Sequence, residues 1–121
     1  MKKLILIGGG GHCKSCIEVI ESTGEFEIIG ILDLPSKIGE KVLNYEVIGS
    51  DDDISQYVQE GIQYYFVTLG QIKSAELKKR TFTNIYQSGG ISPTIISKYA
   101  IVSSRTSIGA GTIVMHGAIV N

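Results

Sequence analysis

The chain has 121 residues, a length that suits one ordinary domain or one compact domain with part of another. Apolar residues make up 43% of it, which suits a globular core, and its formal net charge of −1 argues against a general electrostatic nucleic-acid binder. No apolar run approaches the roughly 20 residues of a membrane span, and the N-terminus does not read as a signal peptide. We therefore expect a cytoplasmic protein whose partners include neither a membrane nor nucleic acid.

The first third of the chain predicts a βαβ unit. Residues 2–7 form a short apolar strand of the kind buried on both faces, and residues 26–32 (FEIIGIL) form a second strand. Between them, Ile17 and Ile20 fall at helical spacing and Gly24 is a typical helix stop. Strand, glycine turn, helix and strand within about 30 residues define this unit.

Four consecutive glycines separate the first strand from the helix. Gly8, Gly10 and Cys13 occupy the three positions of the pattern G-x-G-x-x-G/A, whose glycines make a tight turn and let a phosphate approach the backbone. Asp33 follows the second strand, where an acid is expected to hydrogen-bond a ribose hydroxyl. The pattern predicts a nucleotide turn, in which a side chain at Gly10 would fill the phosphate's space and meet a disfavoured φ region.

The same turn contains a C-x-x-C motif, Cys13 to Cys16, preceded by His12. A redox centre would place the first cysteine at a helix N-terminus, and a metal site would need further ligands. No second Cys/His cluster completes four ligands, so we interpret both cysteines as small buried residues and predict no metal. His12 lies on the turn, and we favour contact with a ligand over core packing for it.

The middle of the chain continues the alternation of strands and helices. Residues 45–48 are extended, the acids at 51–53 resemble a capped helix start, residues 64–69 read as a third strand, and residues 74–86 as a helix. This alternation predicts a small α/β domain with a parallel, Rossmann-like sheet over residues 1–90.

Residues 91–121 have a different period. Aliphatic residues recur at every sixth position, namely Ile96, Val102, Ile108, Val114 and Val120. This hexapeptide repeat is typical of a left-handed parallel β-helix, in which one aliphatic side chain per face fills the interior. Three repeats make one coil, and repeat folds need about three units. We therefore expect an incomplete β-helix, and a chain that is part of a longer protein.

Together, the GGGGH turn, Ile31–Asp33, Thr68–Gly70 and the hexapeptides resemble one family. It comprises bacterial sugar acetyltransferases with an N-terminal nucleotide-sugar-binding domain and a C-terminal left-handed β-helix, such as sialic-acid O-acetyltransferases and UDP-4-amino-sugar N-acetyltransferases. The resemblance implies an acetyl-CoA-dependent enzyme of surface-glycan synthesis that works as a homotrimer, with acetyl-CoA between neighbouring β-helices. It also implies a set of residues that bind the nucleotide-sugar or sialic-acid substrate: Gly8, Gly10, Gly11, His12, Asp33, Leu69, Gly70 and Gln71.

Two positions depart from the family pattern. Leu34 stands where family members often carry a second acid, which affects the expected ribose or uridine contact. The catalytic His of the family is expected downstream of Asn121, because His116 stands one coil too early and reads as a surface residue. The fragment alone should therefore not catalyse acetyl transfer. The competing hypothesis is a stand-alone nucleotide- or NAD-binding regulatory module without catalysis.

Overall fold

The structure is a computed structural model that describes residues 1–70, 74–105 and 107–121. Its main part is a five-stranded sheet in the order β3-β4-β2-β1-β5. The strands are β1 (Lys2–Ile7), β2 (Phe26–Leu32), β3 (Lys41–Val42), β4 (Tyr45–Gly49) and β5 (Tyr64–Val67). All neighbouring pairs are parallel except β3 with β4, which form an antiparallel hairpin at one edge. The predicted parallel α/β fold is confirmed.

Three α-helices cover the two faces of this sheet. They are α1 (Gly11–Thr23), α2 (Ile54–Gln59) and α3 (Ala75–Gln87). Leu4 and Leu6 of β1 pack in one buried cluster with α1, whereas Ile5 and Ile7 pack in a second cluster with residues of α2 and α3. Successive side chains of a strand point to opposite faces, so the unbroken apolar run of β1 supplies both clusters.

The helix ends follow the local signals in the sequence. Gly24 ends α1 in the left-handed conformation, with φ of 67°. A short 3-10 turn, Asp51–Asp53, precedes α2, and Ser50 and Asp53 form a capping box there. Ser74 caps α3 by accepting a hydrogen bond from the Leu77 N–H, 3.1 Å away. Within the described ranges, none of these helices has the length and apolar character needed to cross a membrane.

The C-terminal segment forms the start of a parallel β-helix. Its strands are β6 (Ile95–Ile96), β7 (Ile101–Val102), β8 (Ile113–Val114) and β9 (Ile119–Val120). β6 pairs with β8 and β7 with β9, both parallel and with an offset of three six-residue repeats. The offset is that of one complete coil. Of the five repeated aliphatic residues, only Val114 is buried, and Ile96 is 39% exposed, so the predicted filling of the interior is met only in part.

The β-helix segment packs directly on the α/β part. Ile95 is only 1% exposed and belongs to the same buried cluster as Cys13, Cys16 and Ile17 of α1. Ile113 and Met115 are half-buried against that cluster as well. The pattern of repeats gives no indication of Ile95, because it precedes the repeated position by one residue. The two parts of the chain therefore share a core.

Candidate functional site

A cavity of about 350 Å³ opens at the carboxyl ends of β1, β2 and β5. From β1 the chain proceeds to β2 and β4 on one side of the sheet, whereas β5 lies on the other side. Ligands of open α/β sheets bind at such a reversal of strand order, outside the carboxyl ends of the strands. The cavity walls come from the glycine turn, the segment after β2, the residues after β4 and β5, and the inner face of α3.

The glycine turn is the part of the wall that follows β1. Gly8 has φ of +114°, and a Cβ atom there would lie 2.9 Å from Cδ2 of Leu69. Both the backbone angle and this close approach require glycine. The turn leads directly into α1, which has Gly10 at its N-cap, no side-chain cap and no acidic residue in its first turn.

The N-terminus of α1 is open to an anion. Within the described part of the chain, the amide N–H groups of Gly10, Gly11 and His12 have no hydrogen-bond acceptor. Such unpaired N–H groups, together with the positive end of the helix dipole, favour the binding of a phosphate.

Gly10 differs from the expectation in one respect. Its φ is −77°, an ordinary value, and a Cβ atom there would meet no atom within 4 Å. The predicted backbone strain of a side chain at this position is therefore wrong. The protein itself therefore leaves room for a Cβ atom at this position, which is the space that a bound phosphate would use.

Asp33 stands between β2 and the cavity, as the sequence predicts, but its carboxylate is already engaged. Oδ2 accepts a hydrogen bond from the Gly9 N–H at 2.9 Å, and Oδ1 accepts one from the Leu34 N–H at 2.7 Å. Each carboxylate oxygen has a second lone pair, so the group can still accept a bond from a ligand hydroxyl.

Three acidic residues line the cavity. Asp33 is joined there by Asp51 and Asp52, while Lys37 is the described basic residue in the wall. Burial, and then the charges of Asp33 and Asp52, raise the pKa of Asp51. Carboxylates repel anions and the helix N-terminus attracts them, so these two sets of groups are suited to different parts of a ligand.

Thr68 is a wall residue that the sequence indicated only as part of a family-like motif. It is 1% exposed, and its hydroxyl donates a 2.6 Å hydrogen bond to the carbonyl oxygen of Gly8. A threonine at the end of a buried strand, just before a glycine, is the signal that could have identified it. The cavity-facing side of α3, with Leu77 and Thr81, was likewise not predicted.

The remaining predicted residues divide into three groups. Leu69 and Gly70 line the cavity together with Gly8, Gly10 and Asp33. Gly11 is exposed and His12 half-buried in the first turn of α1, and neither belongs to the cavity wall. Gln71 lies outside the described residues.

The two cysteines are both fully buried, at 0% exposure. Burial raises the pKa of Cys13 to about 11, although the neighbouring Thr68 side chain acts in the opposite direction, and burial raises the pKa of Cys16 to about 12. A reactive cysteine needs the opposite shift. Among the described residues, no three His, Cys, Asp or Glu side chains lie close enough together to hold a metal ion.

His116 lies on the β-helix segment, away from the cavity wall. Its Nδ1 is hydrogen-bonded to the hydroxyl of Ser97, and its ring stands edge-on to Tyr99, with centroids 5.2 Å apart. The residue is exposed, in agreement with its interpretation as a surface residue.

Fold and site together define an α/β protein of Rossmann-like architecture, with a cavity at the strand-order reversal and the start of a β-helix behind it. The family described as the PglD N-terminal domain matches residues 3–84, and the chain belongs to this family. The predicted kinship with sugar acetyltransferases is thereby confirmed. Among curated proteins, none matches the chain significantly.

Two solved acetyltransferases resemble the whole chain. A histidine-to-asparagine mutant of perosamine N-acetyltransferase from Caulobacter crescentus, in complex with CoA and GDP-perosamine, is 28% identical with a TM-score of 0.88. The match covers 100% of this chain and 55% of that one. The acetyltransferase domain of PglB from Neisseria gonorrhoeae, in complex with acetyl coenzyme A, is 27% identical with a TM-score of 0.80, over 98% of this chain and 55% of that one.

A third match concerns the fold alone. RSP, a Rex-family repressor, is 15% identical with a TM-score of 0.59, over 97% of this chain and 53% of that one. The present chain thus spans about half the length of the solved structures that it matches.

Proposed function

We propose that this chain is the substrate-binding part of an acetyl-CoA-dependent acetyltransferase that acts on a nucleotide-linked amino sugar. The observation that carries the proposal is the glycine turn, which delivers an uncapped helix N-terminus to the cavity at the strand-order reversal. The family membership and the solved acetyltransferase bound to CoA and GDP-perosamine support the substrate class.

The two kinds of polar group at the cavity, backbone N–H groups and carboxylates, suggest how the substrate lies. The diphosphate belongs at Gly10 and the first turn of α1, where N–H groups are available and the helix dipole is favourable. The carboxylates of Asp33, Asp51 and Asp52 offer acceptors, so they suit hydroxyl or N–H donors of the ribose and base. Residues 1–90 would thus hold the nucleotide, and residues 91–121 would begin the β-helix.

Acetyl transfer itself requires groups that the described cavity does not offer. A neutral histidine would take a proton from the attacking amine or hydroxyl, and backbone N–H groups would stabilise the oxyanion. The described wall holds only acids and Lys37 as charged groups, and His116 stands apart from it. We assign the base to a histidine downstream of Asn121, acetyl-CoA to a groove between β-helices of a homotrimer, and catalysis to the full-length protein.

Binding measurements distinguish this proposal from its competitor. Calorimetric titration of the chain with GDP, UDP, CMP-linked sialic acid and NADH should give saturable binding of a nucleoside diphosphate and none of NADH. Binding of NADH alone would favour the regulatory module. Preferential binding of the sialic-acid nucleotide would replace the proposed amino sugar by sialic acid as the substrate, and the proposed phosphate site at α1 would be unaffected.

Turnover measurements test the assignment of the base. Thiol release from acetyl-CoA, with a nucleotide-linked 4-amino sugar as acceptor, should stay at background for these 121 residues. Turnover that disappears in His116→Ala would show that the base lies within this chain. Turnover that survives this substitution would contradict the assignment of catalysis to the longer protein.

A further inference from the structure

The glycine turn has high intrinsic conformational freedom. A glycine populates positive and negative φ about equally, so four in succession have many accessible conformations. A phosphate site made of backbone N–H groups needs one of them, since affinity falls in proportion to the fraction of molecules in the competent state. Interactions with residues outside the turn must therefore select the conformation that binds phosphate.

Two side chains hold the same peptide group of the turn from opposite sides. The Thr68 hydroxyl donates to the Gly8 carbonyl oxygen at 2.6 Å, and the Gly9 N–H donates to Oδ2 of Asp33 at 2.9 Å. In a trans peptide the C=O and the following N–H point in opposite directions, so these two bonds fix the plane of the Gly8–Gly9 peptide. A rotation of that plane would break both bonds.

Both anchors are themselves fixed by the sheet. The Thr68 N–H donates to the carbonyl oxygen of Ile7 at 2.8 Å, which continues the β1–β5 pairing. The Asp33 N–H donates to the carbonyl oxygen of Gly49 at 3.0 Å, next to the end of β4. Burial of Thr68 keeps water away from its hydroxyl, which makes the loss of this bond costly.

We infer that Thr68 and Asp33 are positioning residues that clamp the Gly8–Gly9 peptide, so that the free N–H groups of the next three residues are presented to a diphosphate in one arrangement. This inference rests on the proposed function. It gives Asp33 a role in nucleotide binding that acts through Gly9, in addition to the ribose contact that the family resemblance implies. Thr68, whose hydroxyl is used by Gly8, contributes to binding without a polar contact of its own.

The experiment uses a pair of nearly isosteric substitutions. Thr68→Val keeps the shape of the cavity wall and removes the hydroxyl, whereas Thr68→Ser restores the hydroxyl. Titration with GDP and UDP should show affinity about tenfold weaker for Thr68→Val, if the competent fraction falls to roughly a tenth. Thr68→Ser should bind within about twofold of the wild type, the scatter expected of an unaffected site. Thr83→Val, which removes a hydroxyl bonded within α3, is the control for threonine loss elsewhere.

A double-mutant cycle tests whether the two side chains act on one peptide. Asp33→Ala should weaken binding less in a Thr68→Val background than in the wild type, because the peptide is already released. Additive effects would overturn the clamp. Wild-type affinity in Thr68→Val would also overturn the clamp. A purely structural threonine would lower the melting temperature when replaced and leave the affinity at low temperature unchanged.

Hydrogen exchange supplies a readout that needs no variant. The Gly9 amide should exchange more slowly than the Gly10 and Gly11 amides in the ligand-free chain, because only its N–H is bonded. Equal exchange of the three amides would overturn the inference even if Thr68→Val fails to fold. A wild type that binds neither GDP nor UDP, yet protects Gly9, would instead refute the proposed function and leave the clamp as a structural feature.

Discussion

The α/β part and the β-helix segment are stabilised in different ways. In the α/β part, strands such as β1 are buried on both faces, and Leu4, Ile5 and Leu6 are all 0% exposed. In the β-helix segment, Ile101 and Ile119 pair with each other and are both 65% exposed. Burial of apolar surface is the main favourable term in folding, so the first part should be the more stable. The difference shows that strands of a repeat depend on stacked neighbours for their burial, whereas the central strands of the sheet are buried between helices.

The largest expected effect tests whether nucleotide binding belongs to the α/β part alone. Gly10→Val should weaken GDP or UDP binding by at least about 100-fold, since its side chain would occupy the space of a phosphate. Its melting temperature should stay close to that of the wild type, because protein atoms leave that space open.

Gly109→Val is the matched control in the β-helix segment, where a Cβ atom also meets nothing within 4 Å. It should bind nucleotide as the wild type does. Retained binding in Gly10→Val would mean that the glycines serve only the turn.

The second prediction concerns the contact between the α/β part and the β-helix segment. Ile95→Ala removes a buried side chain that packs against α1, and we expect a loss of about 2–4 kcal/mol in the free energy of unfolding. Ile101→Ala, at an exposed position, should change it by less than about 0.5 kcal/mol. Urea titration followed by circular dichroism measures both. If Ile95→Ala is as mild as Ile101→Ala, the two parts do not share a core.

The third prediction compares the packing of the α/β part with that of the β-helix segment. Val67 in β5 is 8% exposed and Val114 in β8 is 6% exposed, so burial alone predicts equal costs of truncation. We expect Val67→Ala to cost about 2 kcal/mol and Val114→Ala less than about 1 kcal/mol, because Val114 lines an open cavity of the β-helix segment and its neighbours can relax into the space. Equal losses of stability in thermal unfolding would show that the β-helix segment is as tightly packed as the sheet.

The smallest effect concerns the cysteines of the α/β core. Their pKa values are raised from 9.0 to about 11 for Cys13 and about 12 for Cys16. Each native thiol keeps its proton where the unfolded thiol has lost it, so stability is fully present below pH 9 and falls as the pH rises toward 11. The slope is at most ~1.4 kcal/mol per pH unit for each thiol. Unfolding titrations at several pH values should show a shallower decline in a Cys13→Ala/Cys16→Ala variant. An identical decline would mean that the two thiols do not cause it.

Sequence patterns predicted the elements whose signals are local. The strands 2–7 and 26–32 and the stop at Gly24 follow from apolar periodicity and from glycine's tolerance of positive φ. The β3–β4 hairpin was predicted only in its second strand, at residues 45–48, and its first strand β3 has only two residues. Its pairing with β4 depends on a partner strand and not on its own residues.

The site was predictable to the extent that it lies at strand ends. Gly8, Gly10, Asp33, Leu69 and Gly70 all line the cavity, because parallel strands bring their carboxyl ends to one edge. The bonds from Asp33 to Gly9 and from Thr68 to Gly8 span 24 and 60 residues of sequence, so no local pattern could show them. The contact of Ile95 with α1 could not be predicted either, because the two are also far apart in the sequence.

Helix α1 begins at the glycine turn, and its flank carries the contact with Ile95. One helix therefore connects the cavity at the glycine turn to the first coil of the β-helix. A helix hardly stretches, so the proposed reaction would inherit a tight positional tolerance between the sugar carried by the nucleotide and the β-helix that must meet it.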